Sequence, residues 1–438
     1  MKIIVIGGGA AGMSAASKIK RENKDYNVTV IEKSGFVSYA ECGMPYYLAG
    51  FFDKYEDLLH YPISEFIEKR GINVLINTEA KEIDVENKTV KTEDKNFHYD
   101  KLILATGATP RIPDSFNNFV YSLRSMNDAI RIKSKLALSK NITIVGAGVL
   151  GTELFSLLKG KYKVKLISKH ERILPFLDDD MGNVLNEIIK KSDVDIEYNS
   201  IPEDFTVDGN GTLIKTHIGK HRSDLVIFTA GISPENIIAK NAGIKMNGHN
   251  MIVTDDYLHT SRDDVSAAGD NVTSKNMVTG NNDYFPLAQV ANKMGRTIGT
   301  NINKDLRKFP GALGTTIINV FGFQVGYTGL NEKKARTLNY NFDTVLIHGK
   351  SKSNYLNGND VHLKILFDRK DGKLLGAQII DKDNGAWRLN TLATAISAKM
   401  DLYDIVYSDL GYEPEYGPVW DPLIIASSLG LDKISEIS

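Results

Sequence analysis

Cysteine occurs once in the 438 residues, at Cys42, within Ser38-Tyr39-Ala40-Glu41-Cys42-Gly43-Met44-Pro45-Tyr46-Tyr47. A lone thiol closes no intrachain disulfide, so redox chemistry at it runs through a mixed disulfide or a sulfenic acid. Most isolated cysteines are inert hydrophobes. This one lies in a Gly/Pro-punctuated turn expected to open a helix, and a helix N-terminus lowers a thiol pKa and populates the reactive thiolate. Glu41 works in the opposite direction, because an adjacent acid raises the thiol unless it is compensated.

Two glycine clusters point to dinucleotides. Gly7-Gly8-Gly9-Ala10-Ala11-Gly12 follows the apolar run Ile3–Ile6 and opens a helical stretch to about Lys20; the strand Val28–Ile31 then ends at Glu32. Gly146-Ala147-Gly148-Val149-Leu150-Gly151 repeats that design between Ile142–Val145, a helix to about Leu158 and the strand Val164–Ile167. Strand, GxGxxG, helix and strand is the context that gives the motif its specificity. The first glycine permits the tight turn, the second lets the backbone approach a pyrophosphate, and the third lets helix and strand pack closely. The helix N-terminus then offers free N–H groups to the phosphates.

The two sites differ. Glu32 is placed to bind the ribose hydroxyls of an adenosine. The matching position in the second unit is Ser168, followed by Lys169, His170 and Arg172. Loss of the acid and gain of cations favours a 2′-phosphate, hence NADPH over NADH; a solvated basic turn is the alternative. Glu153, in the first turns of the second helix, is expected to help position nicotinamide or to serve in capping. The small-residue strand ends Ala105-Thr106-Gly107, Ala268-Gly269-Asp270 and Thr229-Ala230-Gly231 would let a nucleotide lie against the backbone. Asp270 is expected to accept from a ribityl hydroxyl, to cap a following helix, or both.

The elements that must position these groups define an α/β protein with two Rossmann-like domains. After about Phe309 the pattern changes. Thr315–Val320, Val325–Thr328, Asn341–Ile347, His362–Phe367 and Leu374–Ile380 read as antiparallel strands, followed by helices at Arg388–Lys399 and around Leu402–Tyr407, a separate α+β unit. Lys+Arg 53 against Asp+Glu 54 leaves no charge excess to drive nucleic-acid or anionic-membrane binding. No apolar window reaches membrane-spanning length. Ile3–Ile6 is too short for a secretory core, and a single cysteine fits a reducing cytosol. The nine histidines show no ligand spacing, so no metal is expected.

Over essentially the whole chain, the order of the two glycine units, the Ala105-Thr106-Gly107 and Ala268-Gly269-Asp270 segments, and the cysteine before Gly43-Met44-Pro45-Tyr46 resembles the pyridine nucleotide–disulfide oxidoreductases. The dithiol branch carries Cys-x4-Cys; here Tyr47 stands at the second position. The chain is thus similar to the single-cysteine branch of coenzyme A disulfide reductases, NADH oxidases and NADH peroxidases. Oxidases and peroxidases usually carry a His in the first glycine loop, and this loop has none. Gly43-Met44-Pro45-Tyr46-Tyr47 and the tail from Gly411 to Pro422 resemble the coenzyme A disulfide reductases, in which Tyr-Ala-Pro-Pro-aromatic enters the partner's active site. Tyr412, Pro414 and Tyr416 are kept; Glu413 and Glu415 depart from the pattern.

The resemblance implies a flavin-dependent NAD(P)H oxidoreductase acting on a low-molecular-weight disulfide, most similar to coenzyme A disulfide, with Cys42 and Tyr412 as catalytic residues. FAD would lie on Gly7, Gly9, Ala10, Ala11, Gly12, Glu32, Lys33 and Ala80, and on Thr106, Gly107, Gly269, Asp270, Leu287 and Ala288. NADPH or NADH would lie on Gly146, Gly148, Val149, Leu150, Gly151, Glu153, Ser168, Lys169, His170 and Gly231. Coenzyme A, as substrate or as a mixed disulfide on Cys42, would meet Ser14, Lys18, Arg21, Ser38, Glu41, Arg70, Asn292 and Trp420. Lys20 and Lys24 add charge near the first helix. The expected organisation is an FAD domain over residues 1–112 and 246–312, an NAD(P)H domain over 113–245, and a C-terminal dimerisation domain over 313–438. The partners would be a second copy of the chain and a small disulfide or sulfur species, with neither nucleic acid nor membrane. Oxygen or polysulfide as oxidant, and a redox-sensing flavoprotein without turnover, are the alternatives.

Overall fold

The computed structural model describes residues 1–209 and 211–435. Its first sheet is all parallel, in the order Val265–Ala267, Lys101–Leu104, Lys2–Ile6, Asn27–Ile31, Ile72–Leu75. Ile3, Ile4, Val5 and Ile6 are all buried, as a central parallel strand covered on both faces requires. The outermost strand arrives from far along the chain, so this sheet is assembled from two separated segments. The helix Ala10–Glu22 covers one face and packs closely on Ala288–Asn301. Glycine makes that approach possible: a Cβ on Gly295 would stand 2.1 Å from the Ala11 carbonyl oxygen.

The second sheet is parallel too, in the order Asp195–Glu197, Lys163–Ile167, Asn141–Val145, Leu225–Phe228. Its fingerprint helix runs Val149–Leu158. A two-stranded ribbon, Ala108–Pro110 with Ile232–Pro234, links the two sheets where the chain leaves and returns.

The third sheet is antiparallel, in the order Thr316–Val320, Phe323–Gly329, Leu374–Asp381, Asp360–Asp368, Phe342–Lys350. All five expected strands are present, each within a few residues of its expected bounds. The helices Gly385–Ser397 and Leu402–Val406 follow. A third helix, Pro422–Ser435, had no expectation in the sequence. Arg388 is fully buried; it bonds Asp381 at 2.8 Å and Asp421 at 2.8 Å, which fixes the start of that last helix and the end of the tail. Lys364, also buried, reaches Asp178 and Asp180 of the second unit at 3.2 and 2.7 Å and Glu332 of its own, so one ammonium joins the two units.

Candidate active site

Each glycine loop leaves its strand through a left-handed turn, at Gly7 (φ +104°) and Gly146 (φ +110°). A Cβ on Gly7 would lie 2.1 Å from the Ala105 carbonyl oxygen, and one on Gly12 1.9 Å from that of Gly7. The second unit repeats this: a Cβ on Gly151 would lie 1.9 Å from the Gly146 oxygen. These glycines serve the protein's own packing. The middle ones do not. Nothing lies within 4 Å of a Cβ on Gly148, and Gly9 would meet only Glu41 Oε1 at 3.6 Å. Open space beside a helix N-terminus at both middle glycines is the shape a pyrophosphate requires, so the residues fit two dinucleotides.

Around the first cradle the expected residues converge. Glu32 accepts from the Gly8 and Ser34 N–H groups at 2.7 Å each. Thr78, two residues before Ala80, donates its N–H to the Glu32 carbonyl, while Lys33 points to solvent. Ser38 takes φ +50° and donates to the Gly8 carbonyl at 2.9 Å. Thr106 is tied to the buried Asn271, Gly107 and Gly269 take positive φ, and Gly269 faces Ala11. Leu287 caps the helix that starts at Ala288. Asp270 caps nothing: no helix follows it, and the next elements are the short strands Ser274–Lys275 and Asn282–Asp283. That expectation is corrected.

Asp270 instead accepts from Arg124 at 2.7 Å, and the same guanidinium donates to Glu41 at 3.1 Å. This cation is the compensation that Glu41 demands. Sequence reasoning missed it because Arg124 precedes Cys42's partners in no motif; the only signal is its place immediately before the capping box of Ser125 and Asp128. Burial raises both Glu41 and Asp270 while Arg124 pulls each back.

Cys42 lies in the 3₁₀ turn Glu41–Gly43, ahead of the six-residue helix Met44–Ala49, with an accessible surface. Its thiol is raised, not lowered as the helix argument expects. Crowding by the protein is the main cause, then the charges of Glu41 and Glu153; Arg124 opposes them. One turn of helix carries too little dipole to outweigh these. Tyr47, where a second cysteine would stand, is buried beneath Lys133, whose ammonium lies 4.8 Å from its ring centroid. Glu153 caps nothing either. Its carboxyl accepts from the Tyr46 hydroxyl at 3.2 Å.

In the second cradle, Val149 and Leu150 start the fingerprint helix and Gly231 (φ +121°) borders open space. Ser168 is fully buried, its hydroxyl bonded within the loop to His170. Lys169 and His170 are exposed. Arg172 is not available as a third cation, because Glu171 and Asp179 hold it.

Among the expected substrate residues, Ser14 donates to Asn292 at 2.7 Å across the two packed helices. Lys18 pairs with Glu22, and Lys20 donates to the Lys24 and Tyr26 carbonyls, so neither is a free cation. Arg21 and Lys24 are exposed. Arg70 bonds Ser17 at 3.2 Å and lies 4.5 and 4.7 Å over the rings of Tyr61 and Phe66. Tyr412 and Trp420 are 52% and 65% exposed on the C-terminal unit; Tyr412 is hydrogen-bonded to Tyr355 and Ser353. Tyr355 was also missed. Asp178, Asp180 and Glu332 converge as metal ligands would, but the Lys364 ammonium occupies their centre.

Two nucleotide cradles on separate parallel sheets, with a thiol on the loop leaving the first, are the layout of a two-nucleotide oxidoreductase. The family model for pyridine nucleotide-disulphide oxidoreductases matches residues 1–295, and that for the family's dimerisation domain matches residues 316–422. The chain belongs to this family, a flavin-dependent one, and FAD and NAD(P)H are the cofactors membership implies. It is 34% identical over 434 residues to the NAD(P)H coenzyme A polysulfide/persulfide reductase of Pyrococcus horikoshii, covering 97% of each chain. It is 26% identical to the coenzyme A disulfide reductase of Staphylococcus haemolyticus, covering 95% of this chain and 96% of that one. The structure of an NAD-dependent persulfide reductase from A. fulgidus superposes with a TM-score of 0.95 at 31% identity, covering 100% of this chain and 84% of that one. The dimerisation match supports a homodimer. No helix among the described residues is long and apolar enough to cross a membrane.

Proposed function

We propose that the protein reduces a coenzyme A-linked disulfide at Cys42 with electrons from NAD(P)H. The observation that carries this reading is a lone accessible thiol whose would-be partner position is a buried tyrosine. With no second sulfur, Cys42 must take its partner from the substrate. The overall balance is RS–SR + NAD(P)H + H⁺ → 2 RSH + NAD(P)⁺. Bound FAD and NAD(P)H supply two-electron hydride chemistry. The Cys42 thiolate attacks one substrate sulfur, forms a mixed disulfide and expels the first thiolate. Reduction of that mixed disulfide releases the second thiol and restores Cys42. Tyr412 of the partner subunit is the proton donor to the departing thiolate, held in place by Tyr355. Arg124 offsets the negative charge of Glu41 and Asp270 beside the reacting sulfur. Arg21 and Arg70 are the cations for the phosphates of coenzyme A, while Lys169 and His170 support NADPH. The domain boundaries 1–112 with 246–312, 113–245 and 313–438, and the site roles named from the sequence, belong to this proposal.

Intact mass of the non-reduced protein tests it. A coenzyme A-sized adduct on Cys42, removable by dithiothreitol, is the expected result; a persistently unmodified thiol that turns over no disulfide would sink it. Identity to the Pyrococcus enzyme favours polysulfide as a second acceptor. NADPH consumption with coenzyme A disulfide, polysulfide and oxygen, compared side by side, separates these readings.

A further inference from the structure

One hydrogen bond joins the two halves of this chemistry. Tyr46 stands on the short helix after Cys42, and Glu153 stands on the second fingerprint helix just past Gly151; the phenol donates to Glu153 Oε1 at 3.2 Å. The far end of the cysteine helix is tied down as well. Lys133 donates to the Tyr47 carbonyl at 2.6 Å, and Lys161 donates to that of Ala49. Met44, Tyr47, Leu48 and Ala49 share a core with Leu154, Phe155 and Leu158 of the fingerprint helix. The segment that carries Cys42 is therefore bonded and packed to the second nucleotide unit, although the chain reaches it from the first sheet.

We propose that Glu153 and Tyr46 form an electrostatic link between the second fingerprint and the thiol: the charge on Glu153 governs how readily Cys42 reacts, and a nucleotide seated on the fingerprint helix alters that charge through Tyr46. Glu153 is a positioning residue in this scheme. It has no ion-pair partner among the described residues, and Tyr46 from the cysteine helix and Cys42 from the turn are the titratable groups that face it. Cys42 itself also faces Glu41, Asp270 and Arg124. Burial pushes the Glu153 carboxyl up to about 7, so its charge changes near neutral pH, and when charged it raises the thiol. By linkage, a nucleotide that changes the Glu153 charge changes Cys42, and the state of Cys42 changes nucleotide affinity equally.

The link rests on Cys42 being the reactive thiol, and alkylation reads that without turnover. The experiment follows iodoacetamide modification of Cys42 in the reduced, flavin-loaded enzyme against pH, with and without saturating NADP⁺ or NAD⁺. The wild-type profile should carry a second inflection near pH 7 that moves when nucleotide binds. Glu153→Gln should abolish that inflection and its nucleotide response, and should speed alkylation at pH 7 about three- to tenfold, because one of the negative charges that raise the thiol is gone. Tyr46→Phe keeps the carboxyl and should retain the inflection while losing most of the nucleotide shift. A Glu153→Gln enzyme with the wild-type profile and nucleotide response overturns the link; if that variant loses its flavin, a Tyr46→Phe enzyme with the full wild-type shift does the same. Turnover that survives Cys42→Ser would instead remove the reading beneath it.

Discussion

Cys42 is a thiol held among acids, and its reactivity is decided by which charges are balanced. Arg124 is the cation that lowers it, and it is shared with two partly buried carboxylates. Replacing Arg124 with Met leaves Glu41 and Asp270 facing each other. Stability should fall by about 1–3 kcal/mol at pH 7, the usual loss when a partly buried polar group is orphaned. Both acids already sit above their ordinary values. An acid raised in the fold loses stability as pH rises from its unfolded value to its folded one. The deficit of this variant should therefore be small near pH 4 and grow toward neutrality, which thermal melts across that range will show. Cys42→Ser should abolish disulfide turnover and keep the flavin, read from its visible absorbance.

The fingerprint loops separate glycines that hold the fold from glycines that leave room for a ligand. Gly151→Ala puts a Cβ 1.9 Å from a carbonyl oxygen and 2.5 Å from Thr229 Oγ1, and should cost about 1–3 kcal/mol or more in stability. Gly148→Ala meets nothing. Its melting temperature should stay near wild type while KM for NAD(P)H rises severalfold, because only the nucleotide would meet the added methyl. Melts and steady-state kinetics of the pair check the distinction; equal melting temperatures would contradict it.

Across the whole molecule, two buried cations hold the C-terminal unit in place. Arg388 fixes the end of the tail that carries Tyr412, and Lys364 fixes the unit to the second nucleotide sheet. Lys364→Met leaves three carboxylates converging on an empty centre, and breaking a buried pair this way costs about 3–5 kcal/mol. Glu332 is held below its ordinary value by Lys364 and Arg336, and that contribution is present above its unfolded pKa and lost as pH falls through the lowered one. The gap between variant and wild type should thus be widest at neutral pH and should narrow below about pH 4. The exposed aromatics Tyr403, Tyr407, Tyr412, Tyr416 and Trp420 lie on this same unit, within the residues that the dimerisation-domain model matches.

What the residues determine alone is local. A glycine at φ above +100°, an apolar run before it and a helix after it are set within about thirty positions, so both cradles, their strands and the antiparallel unit were legible. Tyr47 in place of a second cysteine was equally plain. The helix argument for Cys42 failed for the same reason that Arg124, Tyr355 and the Tyr46–Glu153 bond were invisible: electrostatics at a site sums charges that meet only after the chain has folded. Arg124 is 83 positions from Glu41 and 146 from Asp270. No spacing rule relates such residues, because their distance is fixed by how two sheets pack and not by the chain between them.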